Sequence, residues 1–178
     1  MKQNPLKLCL GLVLSLGAFL PARAVDRPPS DAPAQVTFTV LKFQPTTVGS
    51  AAKNYTDAIA ELTPHPFVTT SGDAIYPTFH PQRAVDFEIK VKSLDPRESY
   101  TPIAVTFQQN PRNGCARNDP IGAINFTPAR LSGSTLIFHD NCMIKGPESR
   151  YEFFIIIRRA SDGAIGVIDP DIETDASH

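Results

Sequence analysis

Alternation of apolar and polar residues dominates the chain. Val36-Thr-Phe-Thr-Val40 sets apolar side chains against Thr, and Val85, Phe87, Ile89 and Val91 share one face of a stretch whose other face is Asp86, Glu88 and Lys90. A period of two marks a half-buried β-strand. Ile103, Val105 and Phe107 repeat the theme against Ala104 and Thr106, and shorter strand candidates lie at 121–126 and 135–139. Residues 151–159 differ. Tyr151, Phe153, Ile155 and Ile157 form one face while Phe154 and Ile156 load the other, the pattern of a central strand covered on both sides. Ala160-Ser-Asp-Gly163 supplies turn chemistry, after which 164–168 is expected to return as a hairpin partner. One segment departs from this rhythm. Ala51, Tyr55, Ala58, Ile59 and Leu62 fall at helical spacing behind Ser50 as an N-cap, which predicts one short helix over 50–62.

Proline punctuates rather than interrupts these elements. Of 17 prolines, those at 64, 66, 77, 81, 96, 111, 120, 128 and 147 fall between strand candidates, where a missing N–H costs no ladder bond. The sum is an all-β domain over 35–170, an antiparallel β-sandwich of seven or eight strands, immunoglobulin-like in the broad sense. The buried Trp of antibody domains is missing, since the chain has no Trp.

The first residues change the picture of where this domain works. Lys2 and Lys7 precede an apolar run at 8–20, which closes on Pro21-Ala-Arg-Ala24. That is the order of a cleavable signal peptide over 1–24, with an apolar core shorter than the roughly 20 residues a membrane span needs. The expectation is an exported protein, periplasmic or secreted, with an extended leader at 25–34 and an acidic C-terminal tail at 171–178. Past residue 24 the chain keeps 14 basic and 18 acidic residues, a net charge of −4 with no basic run, so nucleic acid and anionic membranes are poor partners.

Cys9 lies within the apolar run, leaving Cys115 and Cys142. In an oxidising compartment these two are expected to form a disulfide worth about 3–4 kcal/mol by loop entropy. The alternative, a pair of thiol metal ligands, lacks the C-x-x-C spacing. His65, His80 and His139 are the candidate metal ligands, although none are neighbours in sequence. His139, Cys142 and Met143 raise a copper reading that would consume a disulfide cysteine. Asp169, Asp171, Glu173 and Asp175 alternate as a calcium candidate, without the EF-hand glycine. No G-x-S-x-G elbow or phosphate loop occurs. The loop Ala74-Ile-Tyr-Pro-Thr-Phe-His-Pro81 gathers Tyr76, Phe79 and His80 as a ligand-binding candidate, sugar included. Asn54-Tyr-Thr56 and Asn125-Phe-Thr127 match the glycosylation sequon. No cofactor is implied.

Gly166-Val-Ile-Asp-Pro-Asp-Ile-Glu173 resembles the end of the DP-EP family of small bacterial β proteins, in which a C-terminal strand runs into Asp-Pro and an acidic tail. The later Glu-Pro of that family is not found here. The resemblance implies a small β domain and brings no catalytic residue with it. The reading is therefore an exported, non-catalytic module that binds a partner through its loops or a strand edge. The doubly apolar strand at 151–157 adds self-association as a variant. The alternatives are a metal-binding protein using the loop histidines and a small hydrolase centred on His139 or Asp140.

Overall fold

The structure is a computed structural model that describes residues 32–46 and 55–174. The expected signal peptide, most of the leader, Asn54, Asp175 and His178 lie outside the described residues. Eleven strands follow one another: β1 (Ala34–Lys42), β2 (Asp57–Leu62), β3 (Val68–Gly72), β4 (Pro77–Pro81), β5 (Val85–Ser93), β6 (Tyr100–Gln109), β7 (Arg130–Ser132), β8 (Thr135–Asp140), β9 (Arg150–Arg159), β10 (Ile165–Ile168) and β11 (Asp171–Glu173). The all-β expectation holds, with more and shorter strands than the pattern alone resolves. Two single-turn 3-10 segments, Arg112–Gly114 and Gly146–Glu148, are the helical elements among the described residues.

The strands form two sheets. One runs β2-β1-β5-β8-β7. In the other, β9 pairs with β6 on one side and with β10 and β11 in succession on its other side; β11 continues to β4 and β3. Both sheets are mixed rather than purely antiparallel, because β1 runs parallel to β5 and β11 parallel to β4. The core lies between them and is built from rings: Phe38 and Phe87 of the first sheet meet Phe79 of the second, and Phe138 meets Phe153. The inward residues Tyr151, Phe153, Ile155 and Ile157 of β9 are fully buried, while Phe154 and Ile156 on its outer face are half-buried. Tyr55 stacks on Phe154 from outside.

Three expectations are corrected here. The helix over 50–62 is not formed in its described part, because Asp57–Leu62 is an edge strand paired with β1, with Ala58, Ala60 and Leu62 on its packed face. Residues 121–126 are a turn rather than a strand, closed by bonds from Gly122 N–H to the Asp119 carbonyl and from Phe126 N–H to the Gly122 carbonyl. The tail from 171 is no loose appendage up to Thr174: Asp171–Glu173 is β11, and Thr174 is buried. Asp169-Pro170 is the joint between two strands that share one edge of β9, and the Pro170 carbonyl still accepts the Phe153 N–H at 2.9 Å.

Candidate functional site

Residues 119–129 have two unlike sides, and the site is built from both. The first is polar and sealed. Asp119 accepts bonds from the Ile124 and Asn125 N–H groups at 3.0 and 3.1 Å and from the Tyr151 hydroxyl at 3.0 Å. Gln109 receives the Asp119 N–H at 2.8 Å and donates its amide to Asn118 and to the Glu148 carbonyl. Asn125 accepts the Ile144 N–H at 2.7 Å and donates to the Ile144 carbonyl. Asp140 accepts from the Cys142 N–H at 2.7 Å and from the Thr174 hydroxyl at 3.3 Å. All four acceptor side chains are buried. Buried polar groups need such partners, and here they come from residues 118–125, from residues 142–148, from Tyr151 of β9 and from Thr174, so the network fixes these segments against one another.

Burial decides the acid–base character of this region. It pushes the Asp140 carboxyl up to about 6, against its hydrogen bonds from Cys142 and Thr174. The Cys142 thiol is pushed up to about 12, by burial first and by the Asp140 charge beside it next. Tyr151 is likewise raised, by burial and then by its bond to Asp119. A thiol so raised stays protonated and is a poor nucleophile.

The second side is apolar and open. Phe126 stacks on Phe107 at 3.9 Å between centroids and meets Tyr151 edge-on. In front of them runs a groove of about 390 Å³, lined by Val105 and Phe107 of β6 and by Ile121, Gly122, Phe126 and Pro128. Gly122 has φ +72°, and a Cβ there would come within 2.7 Å of Phe107 Cβ and 2.8 Å of the Phe126 ring. Glycine is required to bring the turn this close. Ile121, at the groove, is 73% exposed, and Ile124 further along the same turn is 47% exposed. β6 beside them pairs only with β9 among the described strands, so its other edge is unpaired. A bulge between Pro102 and Ala104 closes one end of that edge, and a bond from the Gln109 N–H to the Pro120 carbonyl closes the other.

The residues singled out from sequence are not brought together. His65 sits before β3, bonded to the Ala32 carbonyl and the Phe67 N–H; His80, on β4, bonds Ser71; His139, on β8 in the opposite sheet, bonds Asp86 at 2.8 Å. Among the described residues no three His, Cys, Asp or Glu side chains cluster as a metal site. Tyr76, Phe79 and His80 separate as well. Phe79 is buried in the core and His80 points to the other face, as strand alternation requires, while Tyr76 is exposed in a turn capped by Asp73. Cys115 and Cys142 form no disulfide and are free. Cys142, in a left-handed conformation at φ 49°, turns its thiol inward to Asp140 and Thr174, whereas Cys115 is part-exposed after the turn at Arg112–Gly114. Asp171 and Glu173 pair with Arg150 and Arg112, each at 2.6 Å, which neutralises the calcium candidate. Asn125, the second sequon asparagine, is buried.

The hydrolase candidate fares little better. His139 and Asp86 face a depression of about 160 Å³ with Thr127 and Arg130, but the Thr127 hydroxyl accepts the His139 backbone N–H rather than bonding its ring. Asp140, the other candidate centre, is buried. The groove was missed by sequence reasoning, although one signal was present: β6 carries no charged residue across its ten positions.

No family model and no curated protein sequence matches the chain. Among solved structures it is similar to PixA, an inclusion body protein from Burkholderia cenocepacia, at a TM-score of 0.42 and 10% identity over 80% of this chain and 96% of that one.

Proposed function

We propose that the protein is an exported, non-catalytic β-sandwich module that binds an extended polypeptide segment along the open edge of β6. The observation that carries this reading is the coincidence of an unpaired strand edge with an apolar groove lined by the Phe107 and Phe126 rings. An added strand satisfies the edge N–H and C=O groups, while its alternate side chains enter the groove. Contiguous apolar surface left open to solvent marks such interaction sites. Export, to the periplasm or beyond the cell, rests on Lys2, Lys7, the apolar run at 8–20 and the small residues Ala22 and Ala24.

Amide chemical-shift mapping with short, uncharged β-forming peptides tests the binding reading. Shifts are expected at 104–108 and 121–129. Shifts confined to the Tyr76 turn or to the His139 depression would move the site there, and none at all in a monomeric protein would reject the module reading. Signal processing is checked separately by N-terminal sequencing of the exported protein, with Val25 expected first.

A further inference from the structure

We infer that the segment filling the β6 edge is β6 of a second copy, paired antiparallel about a two-fold axis at Thr106; this rests on the reading of β6 as a binding edge.

The open stretch is short and bounded. The bulge at Pro102–Ala104 ends it on one side, and the Gln109 N–H, already bonded to Pro120, ends it on the other. Residues 104–108 remain, Ala-Val-Thr-Phe-Gln, with Thr106 at their centre. An isologous pair centred there sets Thr106 against its own counterpart, Val105 against Phe107 twice, and Ala104 against Gln108 twice. Thr–Thr and β-branched–aromatic pairs are among the favourable cross-strand combinations, and no like charges meet. Val105 and Phe107 share the core face, opposite Ile155 and Phe153 of β9, so the paired strands present those residues together at the groove.

The other edge strands do not offer this. β2 carries Asp57 and Glu61, and the Ala60 N–H is already bonded to the Ala74 carbonyl. β7 has three residues, led by Arg130. β3 past Val68 is Thr, Thr, Ser and Gly, with no apolar side chain to bury. Natural edges are guarded by charge, shortness or cover. Between 104 and 108 β6 carries no charge and no described strand covers it, which suits an edge meant to be occupied.

Sedimentation velocity tests the pairing, on protein purified from cells expressing the full chain. Wild type is expected to sediment as a dimer across the micromolar range. Thr106 lies on the outer face opposite Phe154 and is exposed, so Thr106→Lys and Thr106→Glu should fold, with melting midpoints near wild type. Each alone should be monomeric, because like charges face each other across the axis, and an equimolar mixture of the two should restore the dimer. A dimer indifferent to charge at 106, or a mixture that stays monomeric, overturns the two-fold pairing. A monomeric wild type that binds the peptides at 104–108 overturns the second copy and leaves the edge reading standing. A monomer that binds none overturns both.

Discussion

The two sides of residues 119–129 invert the usual placement of residues. On one side, carboxylates, amides and a phenol are sealed from water; on the other, Ile121 and Ile124 stand in it. A buried polar group or an exposed apolar patch is each informative, while the reverse arrangement is routine. Side by side, they divide a task. Hydrogen bonds are directional, so the sealed side sets where the turn sits. Apolar contact is not directional, so on the proposed reading the place where a partner docks is set by where the turn holds the open side.

Removing the anchor should have the largest effect. Asp119→Ala strands two backbone N–H groups and the Tyr151 hydroxyl in a dry site, and urea denaturation should show a loss of about 4 kcal/mol. If the loss is small, the sealed side is not what positions the turn. Next comes the pH dependence of Asp140. Its carboxyl ionises near 3.8 when unfolded and near 6 when folded, so the native state holds the extra proton between those values. Its contribution to stability is then full below about pH 4 and declines as pH rises to about 6, by on the order of 3 kcal/mol, and is flat above. Asp140→Asn should abolish that slope in thermal melts run from pH 4 to 7. The exposed Asp95 and Asp162, both held at about 2 by their arginine partners, act in a lower window and with the opposite sign.

Gly122→Ala probes the boundary between the two sides. A left-handed residue with its Cβ against Phe107 and Phe126 should cost about 2 kcal/mol, and peptide shifts at the groove should weaken with it. Tyr151→Phe removes one bond to Asp119 but leaves the ring packed against Phe126; about 1 kcal/mol is expected. Ile121→Ser should change stability by no more than about 0.5 kcal/mol, yet abolish binding at the edge. A binding loss that tracked the stability loss across all these variants would erase the distinction between the two sides.

The strands with clean alternation were legible from sequence. Val85 to Val91 and Tyr151 to Ile157 lie in strands whose inward residues match the pattern. Where alanines blurred the alternation, as at Ala58 and Ala60, spacing suited a helix equally well, and only pairing with β1 decides. Asp119 carried no local mark of its role, because its partner Tyr151 is 32 positions away. The disulfide expectation rested on compartment alone; the inward turn at Cys142 belongs to the tertiary structure. The groove followed the same logic: Ile121 reads as a strand residue until Gly122 turns the chain.

The way β10 and β11 share one side of β9 bears on when the protein can finish folding. Among the described strands, β4 and β3 join the second sheet only through the three residues of β11. Until β11 is in place, β3 and β4 have no sheet to join and half of one edge of β9 is bare. Closure of this kind pairs segments far apart in sequence and is slow for that reason. A three-residue strand is thus the keystone of five others.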